Sequence, residues 1–258
     1  MWRLCREIHD NWELIWELAL KELRLRYKRS ALGFLWALLN PLLTLAILTV
    51  VFSTFVRFPV QKYAVFLISA LLPWTFFSQT MSYAVESIVG NGELLKKVKI
   101  AKSVFPVAAV VSNIVNFLFS LLPLLFILLV LRFPFHWTWL YVPVPLLGLV
   151  LFTMGCSFFC SAANVYFRDV SHIVQIVLSG WFYLSPVIYS LDLMPERYRM
   201  LLRLNPLAYI LHGFRLAIYY GLLPSPQSVA ISLIVGVVAL MLGYWFFCRV
   251  QERFVYYV

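Results

Sequence analysis

Charged residues are missing from six long stretches of this 258-residue chain. The stretches are 30–56, 63–85, 103–131, 133–167, 170–191 and 216–248. They hold 169 residues, so all 32 charged residues lie in the other 89. A bilayer core about 30 Å thick is crossed by a helix of roughly 20 apolar residues. Each stretch can hold one such helix and none holds two comfortably, so the pattern predicts six membrane spans.

The apolar runs predict helices rather than strands. They are continuous, whereas the strands of a membrane barrel alternate apolar and polar positions. Backbone groups in lipid must bond to one another, and a helix satisfies them within its own segment. We therefore predict an all-α membrane protein with six transmembrane helices, at 30–56, 63–85, 103–131, 135–163, 170–190 and 226–248. The pieces between them are too short for a soluble domain, so 1–258 is predicted to be one transmembrane domain.

Residues 11–29 precede the first span and have an amphipathic pattern. The polar stripe consists of Glu13, Glu17, Lys21, Arg24 and Lys28, and the apolar face of Trp12, Ile15, Trp16, Ala19, Leu23 and Tyr27. Glu22 and Arg26 form a favourable pair four residues apart. This pattern predicts a helix lying in the membrane interface.

The distribution of positive charge predicts the topology. The net charge is +10, which by itself is compatible with a partner such as nucleic acid. With the N-terminus placed in the cytoplasm, however, 14 of the 21 Lys and Arg residues fall in inner segments, and seven, including Arg215, fall in outer ones. This bias follows the positive-inside rule with both termini cytoplasmic. We therefore interpret the charge as a topology signal and a contact with lipid headgroups, and expect no nucleic-acid partner.

Residues 86–102 form the largest inner segment between spans. Gly90 and Gly92 permit a turn, and a short basic helix is predicted from Glu93 to Lys102. The segment is either a solvated loop or a docking element for a cytoplasmic partner, and composition alone leaves both open. The second inner loop is short and contains Arg168 and Asp169.

The region 191–225 predicts a broken hairpin. Pro186 interrupts the end of span 5, and residues 207–220 form an apolar segment of 14 residues. That length cannot cross a bilayer and is typical of a re-entrant or interfacial helix. Such a helix must pack against protein or line a wet cavity.

The sequence excludes several sources of energy and chemistry. A phosphate-binding loop is absent, and no Gly-Lys dipeptide occurs. The six stretches contain no carboxylate, Lys or Arg to relay ions or protons. Cys156 and Cys160 lie one helical turn apart, but no His or carboxylate accompanies them, so they are interpreted as packing residues. We predict no catalytic residue, no metal site and no cofactor in this chain.

The predicted spans contain many aromatic side chains, which could form a binding surface. Rings with a polar tip suit a surface that is partly apolar and partly wet, and the C–H faces of sugar rings can lie on them. For any single ring, core packing is the competing interpretation. The predicted substrate-conduit residues are Trp36, Trp74, Phe77, Tyr83, Trp181, Tyr183 and Tyr189.

Five sequence blocks resemble the permeases of polysaccharide-type ABC exporters, which export O-antigen, capsular polysaccharide or teichoic acid. In order, the blocks are 26–42 (RYKRSALGFLWALLNPL), 72–77 (LPWTFF), 94–98 (LLKKV) with 104–106 (VFP), 164–170 (NVYFRDV), and 185–189 (SPVIY) with 205–207 (NPL). The resemblance covers about residues 20–222. One departure is 99–102, where the family often has an aromatic-Pro-Arg run.

The resemblance implies that another protein supplies the energy for transport. It implies a homodimer bound to two copies of a separate ATPase, which would bind the ATP and magnesium, in the cytoplasmic membrane of a bacterium. The substrate would be a lipid-linked cell-envelope polysaccharide moving through a channel at the dimer interface. The implied docking residues are Glu93, Lys96, Lys97, Lys99, Arg168 and Asp169.

Two alternatives stay open at this point. A permease of the same architecture could export small lipids or drugs, and a membrane channel or scaffold would need no motor. Which polymer is moved, and which aromatics face its path, are also open.

Overall fold

The computed structural model describes residues 2–28, 30–55, 62–98, 100–190 and 204–257, and in these ranges the regular structure is helical. The helices are α1 (Trp2–Asp10), α2 (Trp12–Tyr27), α3 (Trp36–Val50), α4 (Tyr63–Glu86), α5 (Gly92–Lys97), α6 (Val104–Val130), α7 (Pro143–Tyr166), α8 (Val170–Leu184), α9 (Pro206–Arg215), α10 (Pro226–Val250) and α11 (Phe254–Tyr257). A π-helical turn, Val51–Phe55, extends α3, and another, Leu216–Tyr220, extends α9. The predicted all-α class is confirmed.

Within the described residues, five helices are long and apolar enough to cross a membrane. They are Trp36–Ser53, Tyr63–Glu86, Val104–Val130, Trp137–Tyr166 and Pro226–Arg253. The second, third and fourth lie within three residues of the predicted spans. The first begins six residues later than predicted, at Trp36, and the last ends five residues later, at Arg253. The chain is therefore a multi-pass membrane protein.

The fifth predicted span, 170–190, is wrong as a single helix. α8 ends at Leu184 after 15 residues, which is shorter than a bilayer crossing needs. Ser185 is extended, with φ −103° and ψ 145°, because the ring of Pro186 disfavours helical backbone in the preceding residue.

Helix α4 lies at the centre of the bundle and is buried along most of its length. It contacts α3, α6, α7, α8 and α9. The largest apolar cluster of the described residues is built around it, from Tyr63 to Val85. Its first half, residues 63–74, is almost wholly apolar, and a segment that is apolar on all sides is buried on all sides.

Helices α7 and α10 pack closest together, and glycines permit it. Gly148 and Gly155 on α7 face Gly236 and Gly243 on α10, each pair being seven residues apart. A Cβ added at Gly155 would overlap the backbone of Ala239, and one at Gly243 would overlap the carbonyl of Gly155. Small residues at this spacing let two helix backbones approach closely without a hydrophobic driving force.

A second, smaller apolar cluster joins the two ends of the chain. It contains Leu4 of α1, Ile15 of α2, Leu95 of α5 and Phe254 of α11, together with the beginning of α6 and the ends of α7 and α10. Helix α1 was not predicted, although it is fixed by specific contacts. The carboxylate of its Glu7 accepts hydrogen bonds from Ser103 Oγ at 2.7 Å and Tyr244 Oη at 3.4 Å.

The predicted interface helix is present as α2, but its apolar face is divided. Ile15, Ala19 and Leu23 are buried against the protein, mainly on α6. Trp12 and Trp16 are 50% and 40% exposed. The helix therefore carries one apolar strip for the bundle and a separate tryptophan strip that is free to contact lipid.

Candidate functional site

A groove of about 880 Å³ opens between α3, α4, α6 and α8. Along α4 it runs from Leu72, near the middle of the helix, to Tyr83, near its end. At 1.5 Å per residue these positions are about 16 Å apart, roughly half the thickness of a bilayer core. Arg26 of α2 and Ser30 lie in its wall together with residues of the four helices.

Neutral polar side chains form much of the groove wall. They are Asn40 on α3, Thr75, Ser78, Gln79 and Ser82 on α4, Asn113, Asn116 and Ser120 on α6, and Gln175 and Ser179 on α8. On α4, α6 and α8 these residues are three, four or seven positions apart, so each helix turns one polar stripe toward the groove. These residues were not predicted from the sequence, although their helical spacing inside the uncharged stretches indicates such stripes.

Four of the seven predicted conduit aromatics lie in the groove wall: Trp36, Trp74, Tyr83 and Tyr183. Tyr183 is 67% and Tyr83 is 37% exposed, so they present ring surface to the groove. Trp74 is only 6% exposed and packs on Phe182 with ring centroids 5.6 Å apart.

The other three predicted aromatics are not in this wall. Phe77 is 1% exposed and packs against Phe152 and Trp181. It lies about 160° around α4 from Gln79, on the core side of the helix. The indole nitrogen of Trp181 donates to Asn205 Oδ1 at 3.0 Å, and the hydroxyl of Tyr189 donates to the carbonyl of Tyr183 at 3.1 Å. Phe77 and Trp181 therefore pack within the protein outside this groove wall, and their contact with substrate stays a prediction.

Arg26 organises the polar network at one end of the groove. Its guanidinium lies 4.0 Å over the ring of Tyr83 and donates to Asn113 Oδ1 at 3.2 Å and to Gln79 Oε1 at 3.5 Å. It is also 3.5 Å from the carboxylate of Glu22, the pairing expected from the sequence. The Arg26 side chain is only 11% exposed, so most of its charge is directed at these groups.

Burial raises the pKa of the Glu22 carboxyl to about 7, against the opposing effect of Arg26 and of a hydrogen bond with Ser112. A carboxyl with a raised pKa is partly protonated near neutral pH. Glu22 therefore neutralises Arg26 only in part at neutral pH.

The region between α8 and α10 contains a second organised polar group. Asn205 caps α9 by accepting from the N–H of Leu207 at 3.0 Å, and its amide nitrogen donates to Ser185 Oγ at 2.9 Å. Arg215 at the end of α9 is 2% exposed. It donates to the carbonyls of Val187 and Tyr189, at 2.8 and 3.3 Å, and lies 3.8 Å over the ring of Phe66.

Arg215, which falls in a predicted outer segment, is therefore enclosed by the protein. The turn after α8 and the helix α9 enclose its guanidinium because two backbone carbonyls need a donor there. The predicted helix over 207–220 is present, as α9 and its π-helical extension, and it packs against α4, α7 and α10. The predicted region 191–203 lies outside the described residues.

The predicted docking helix is shorter than expected. α5 ends at Lys97, and Val98 is extended with φ −132° and ψ 135°. Leu95 anchors the helix in the second apolar cluster, while Glu93 and Lys97 are exposed and form a 3.8 Å ion pair. Lys96 is also exposed. Lys99 lies outside the described residues.

The loop with Arg168 and Asp169 is exposed and is joined to α5 through the C-terminal turn. Arg168 donates to the carbonyl of Tyr257 at 3.0 Å, and α11 contacts α5 as well as α7. Phe254 of α11 is fully buried in the second apolar cluster. The two predicted docking elements therefore belong to one packed surface.

Among the described residues, no group of three His, Cys, Asp or Glu side chains is arranged to hold a metal ion. The predicted pair Cys156 and Cys160 lies on α7, and both are free thiols. What the structure offers is a polar groove and an exposed charged surface on α5 and the Arg168 loop.

Comparison with known proteins decides the family. The model of the ABC-2 type transporter family matches residues 13–219. The chain belongs to the ABC-2 type transporter family. The match includes α2, all four groove helices, α5 and the loop with Arg168 and Asp169.

Individual relatives of this ABC-2 type transporter align over most of its length. The O-antigen export system permease protein RfbA of Myxococcus xanthus is 34% identical over 260 residues, covering 98% of each chain. RfbA of Klebsiella pneumoniae is 31% identical over 236 residues, covering 91% of this chain and 90% of that one. The polysialic acid transport protein KpsM of Escherichia coli is 26% identical, covering 88% and 89%.

Proposed function

We propose that this chain is the permease subunit of an ATP-driven exporter that moves a cell-envelope polysaccharide across the cytoplasmic membrane of a bacterium. The names of its full-length relatives support this assignment, because they describe export of O-antigen and transport of polysialic acid. The substrate would be carried on a lipid, as the resemblance of the sequence blocks implies.

The observation that carries the proposal is the chemistry of the groove. Amide and hydroxyl side chains can bond to sugar hydroxyls, and aromatic rings offer apolar surface to sugar C–H faces. An open groove suits a long chain, which no closed pocket could hold. A small apolar lipid or drug would gain little from the three polar stripes.

The energy would come from a separate ATPase. Two copies of it would bind ATP and magnesium and dock on α5 and on the loop with Arg168 and Asp169. Exposed charges on α5 suit a protein partner, and Leu95 fixes the helix to the bundle. Movement of α5 would reach α7 and α10 through α11, since all of these pack in the second apolar cluster.

A second copy of the chain would complete the conduit. The groove is bordered by α8, whose exposed face carries Ile173, Ile176 and Leu184, from 56% to 73% exposed. Two such grooves facing each other would enclose a channel at the dimer interface. In this arrangement α8 and the turn after it would together cross the membrane between α7 and α9, which brings the number of spans to six. Helix α9 would be a re-entrant helix within the protein.

A test of the proposal compares two sets of aromatic substitutions. The variant Trp36→Ala/Trp74→Ala/Tyr183→Ala removes three rings of the groove, and we expect polymer export in cells to fall about fivefold, as the loss of roughly 1 kcal/mol of ring contact predicts. Co-purification of the ATPase should be unchanged. The control variant Trp137→Ala/Trp245→Ala/Tyr220→Ala removes exposed rings elsewhere. Equal export by both variants would contradict the proposal.

A further inference from the structure

The groove is nearly free of charge. Of the side chains that line it in the described part of the chain, Arg26 alone is ionised, and the polar remainder are amides and hydroxyls. A pore that conducts an anionic substrate carries Lys or Arg along its wall, because each charge leaving water needs a partner. A polymer with a charge on every repeat would have several charges in the groove and a single cation to meet them.

Arg26 is itself engaged by the protein. It stacks on Tyr83, pairs with Glu22 and donates to the amide oxygens of Gln79 and Asn113. With 11% of its side chain exposed, it offers little free donor surface to a ligand. Its position indicates a role in orienting the amides beside it.

The orientation of Gln79 follows from this contact. Guanidinium groups only donate, so the amide oxygen of Gln79 must face Arg26. The same oxygen accepts from Asn116 Nδ2 at 3.1 Å. The Gln79 amide nitrogen therefore points away from Arg26, and the described residues provide it with no recorded partner. Gln79 is partly exposed in the groove wall, so this N–H₂ group can donate to a ligand.

We propose that the groove selects an uncharged glycan, and that Gln79 is a specificity-determining donor to its hydroxyl groups. Serine hydroxyls on the same face of α4, Ser78 and Ser82, extend this row of polar contacts. The inference rests on the proposed export function and narrows it, because it favours a neutral polysaccharide over polymers with a phosphate or carboxylate on each repeat.

The test measures binding to the permease together with its ATPase in lipid nanodiscs, by equilibrium dialysis. The probes are a labelled neutral glucan oligosaccharide and an oligosialic acid of equal length, each at low and high salt. We expect saturable binding of the neutral probe with no dependence on salt, and at least tenfold weaker binding of the anionic one.

Matched variants assign the effect to Gln79. Gln79→Glu keeps the acceptor that faces Arg26 but removes the N–H₂ donor, and we expect about tenfold weaker binding of the neutral probe. Gln227→Glu makes the same change at an exposed position outside the groove and should bind as the unchanged protein does. Equal binding by both variants would refute the role of Gln79.

The remaining outcomes distinguish the selection of a neutral glycan from the proposed function, polysaccharide export. Tighter binding of oligosialic acid, weakened by salt, would overturn selection of a neutral glycan while polysaccharide export stands. Binding of neither probe would overturn both. The inference would be supported if the neutral probe binds and if Gln79→Glu, but not Gln227→Glu, weakens that binding.

Discussion

Two buried arginines each hold together segments that are distant in sequence. Arg26 holds the amides of the groove, and Arg215 holds the turn after α8 against α9. Neither lies in an uncharged stretch, so hydropathy alone predicts both to be outside the bundle. Their burial follows from hydrogen-bonding groups that are distant in sequence, such as Asn113 for Arg26 and Val187 for Arg215.

Arg215 should be essential for stability. Arg215→Ala leaves the carbonyls of Val187 and Tyr189 without their donor and opens space beside Phe66. Loss of such a buried polar contact costs on the order of 3 kcal/mol, so we expect a clear drop in the thermal unfolding temperature in detergent or nanodiscs. Arg249→Ala removes an exposed cation on α10 and serves as the control. An unchanged unfolding temperature for Arg215→Ala would contradict a stabilising role for its hydrogen bonds to Val187 and Tyr189.

Aromatic identity alone does not locate the groove wall, since only four of the seven predicted conduit aromatics lie in it. A ring in an apolar span can face core, lipid or cavity, and its identity does not say which. Trp36 and Tyr183 lie in the groove wall, whereas Phe77 is in the core. The amides were the better signal, because an amide inside an uncharged helix needs a polar neighbour or a wet surface.

At the scale of elements, the closest helix pair is α7 with α10. Gly155→Ala should push these helices apart, because a Cβ there would overlap backbone atoms of Ala239 and Leu240 that cannot move alone. We expect a lower unfolding temperature and weaker assembly. The measurement is thermal unfolding followed by size-exclusion chromatography.

Gly180→Ala on α8 is the matched control for this prediction. A Cβ at Gly180 meets nothing within 4 Å, so the change should be neutral or stabilising by up to about 1 kcal/mol through helix propensity. If both alanine variants behaved alike, close packing of α7 on α10 would not be important for stability.

Hydropathy predicted the long helices well and the irregular elements poorly. The bounds of α4 and α6 agree with the uncharged stretches within one residue, since lipid sets the length of a span. The end of α8 at Leu184 depends on the local effect of Pro186 on the residue before it. Helix α1 depends on Glu7, whose partners Ser103 and Tyr244 are far away in sequence.

On the scale of the whole molecule, the polar groove and the proposed docking surface are separate. The groove lies between α3, α4, α6 and α8, while α5, α11 and the Arg168 loop surround the second apolar cluster. Helix α6 contributes residues to both regions. This separation suits the proposed function, in which a separate ATPase drives movement of substrate along the groove.

The docking proposal predicts a change in assembly without a change in folding. Lys96→Glu/Lys97→Glu reverses two exposed charges on α5, and we expect at least a severalfold loss of co-purifying ATPase because like charges then face the partner surface. Lys28→Glu reverses an exposed charge outside α5 and should retain the ATPase. Full retention of the ATPase by the double variant would contradict docking through α5.

The central claim is that the polar groove is the path of the polymer, and photo-crosslinking tests it most directly. The photoreactive residue p-benzoylphenylalanine replaces Gln79 in one variant and Phe126, on the exposed face of α6, in another. Cells that synthesise and export the polymer are irradiated, and the permease is examined for polymer adducts. We predict a ladder of adducts at position 79 that disappears when polymer synthesis is blocked, and none at position 126. An export-competent variant without adducts at position 79, or with equal adducts at both positions, would contradict the account.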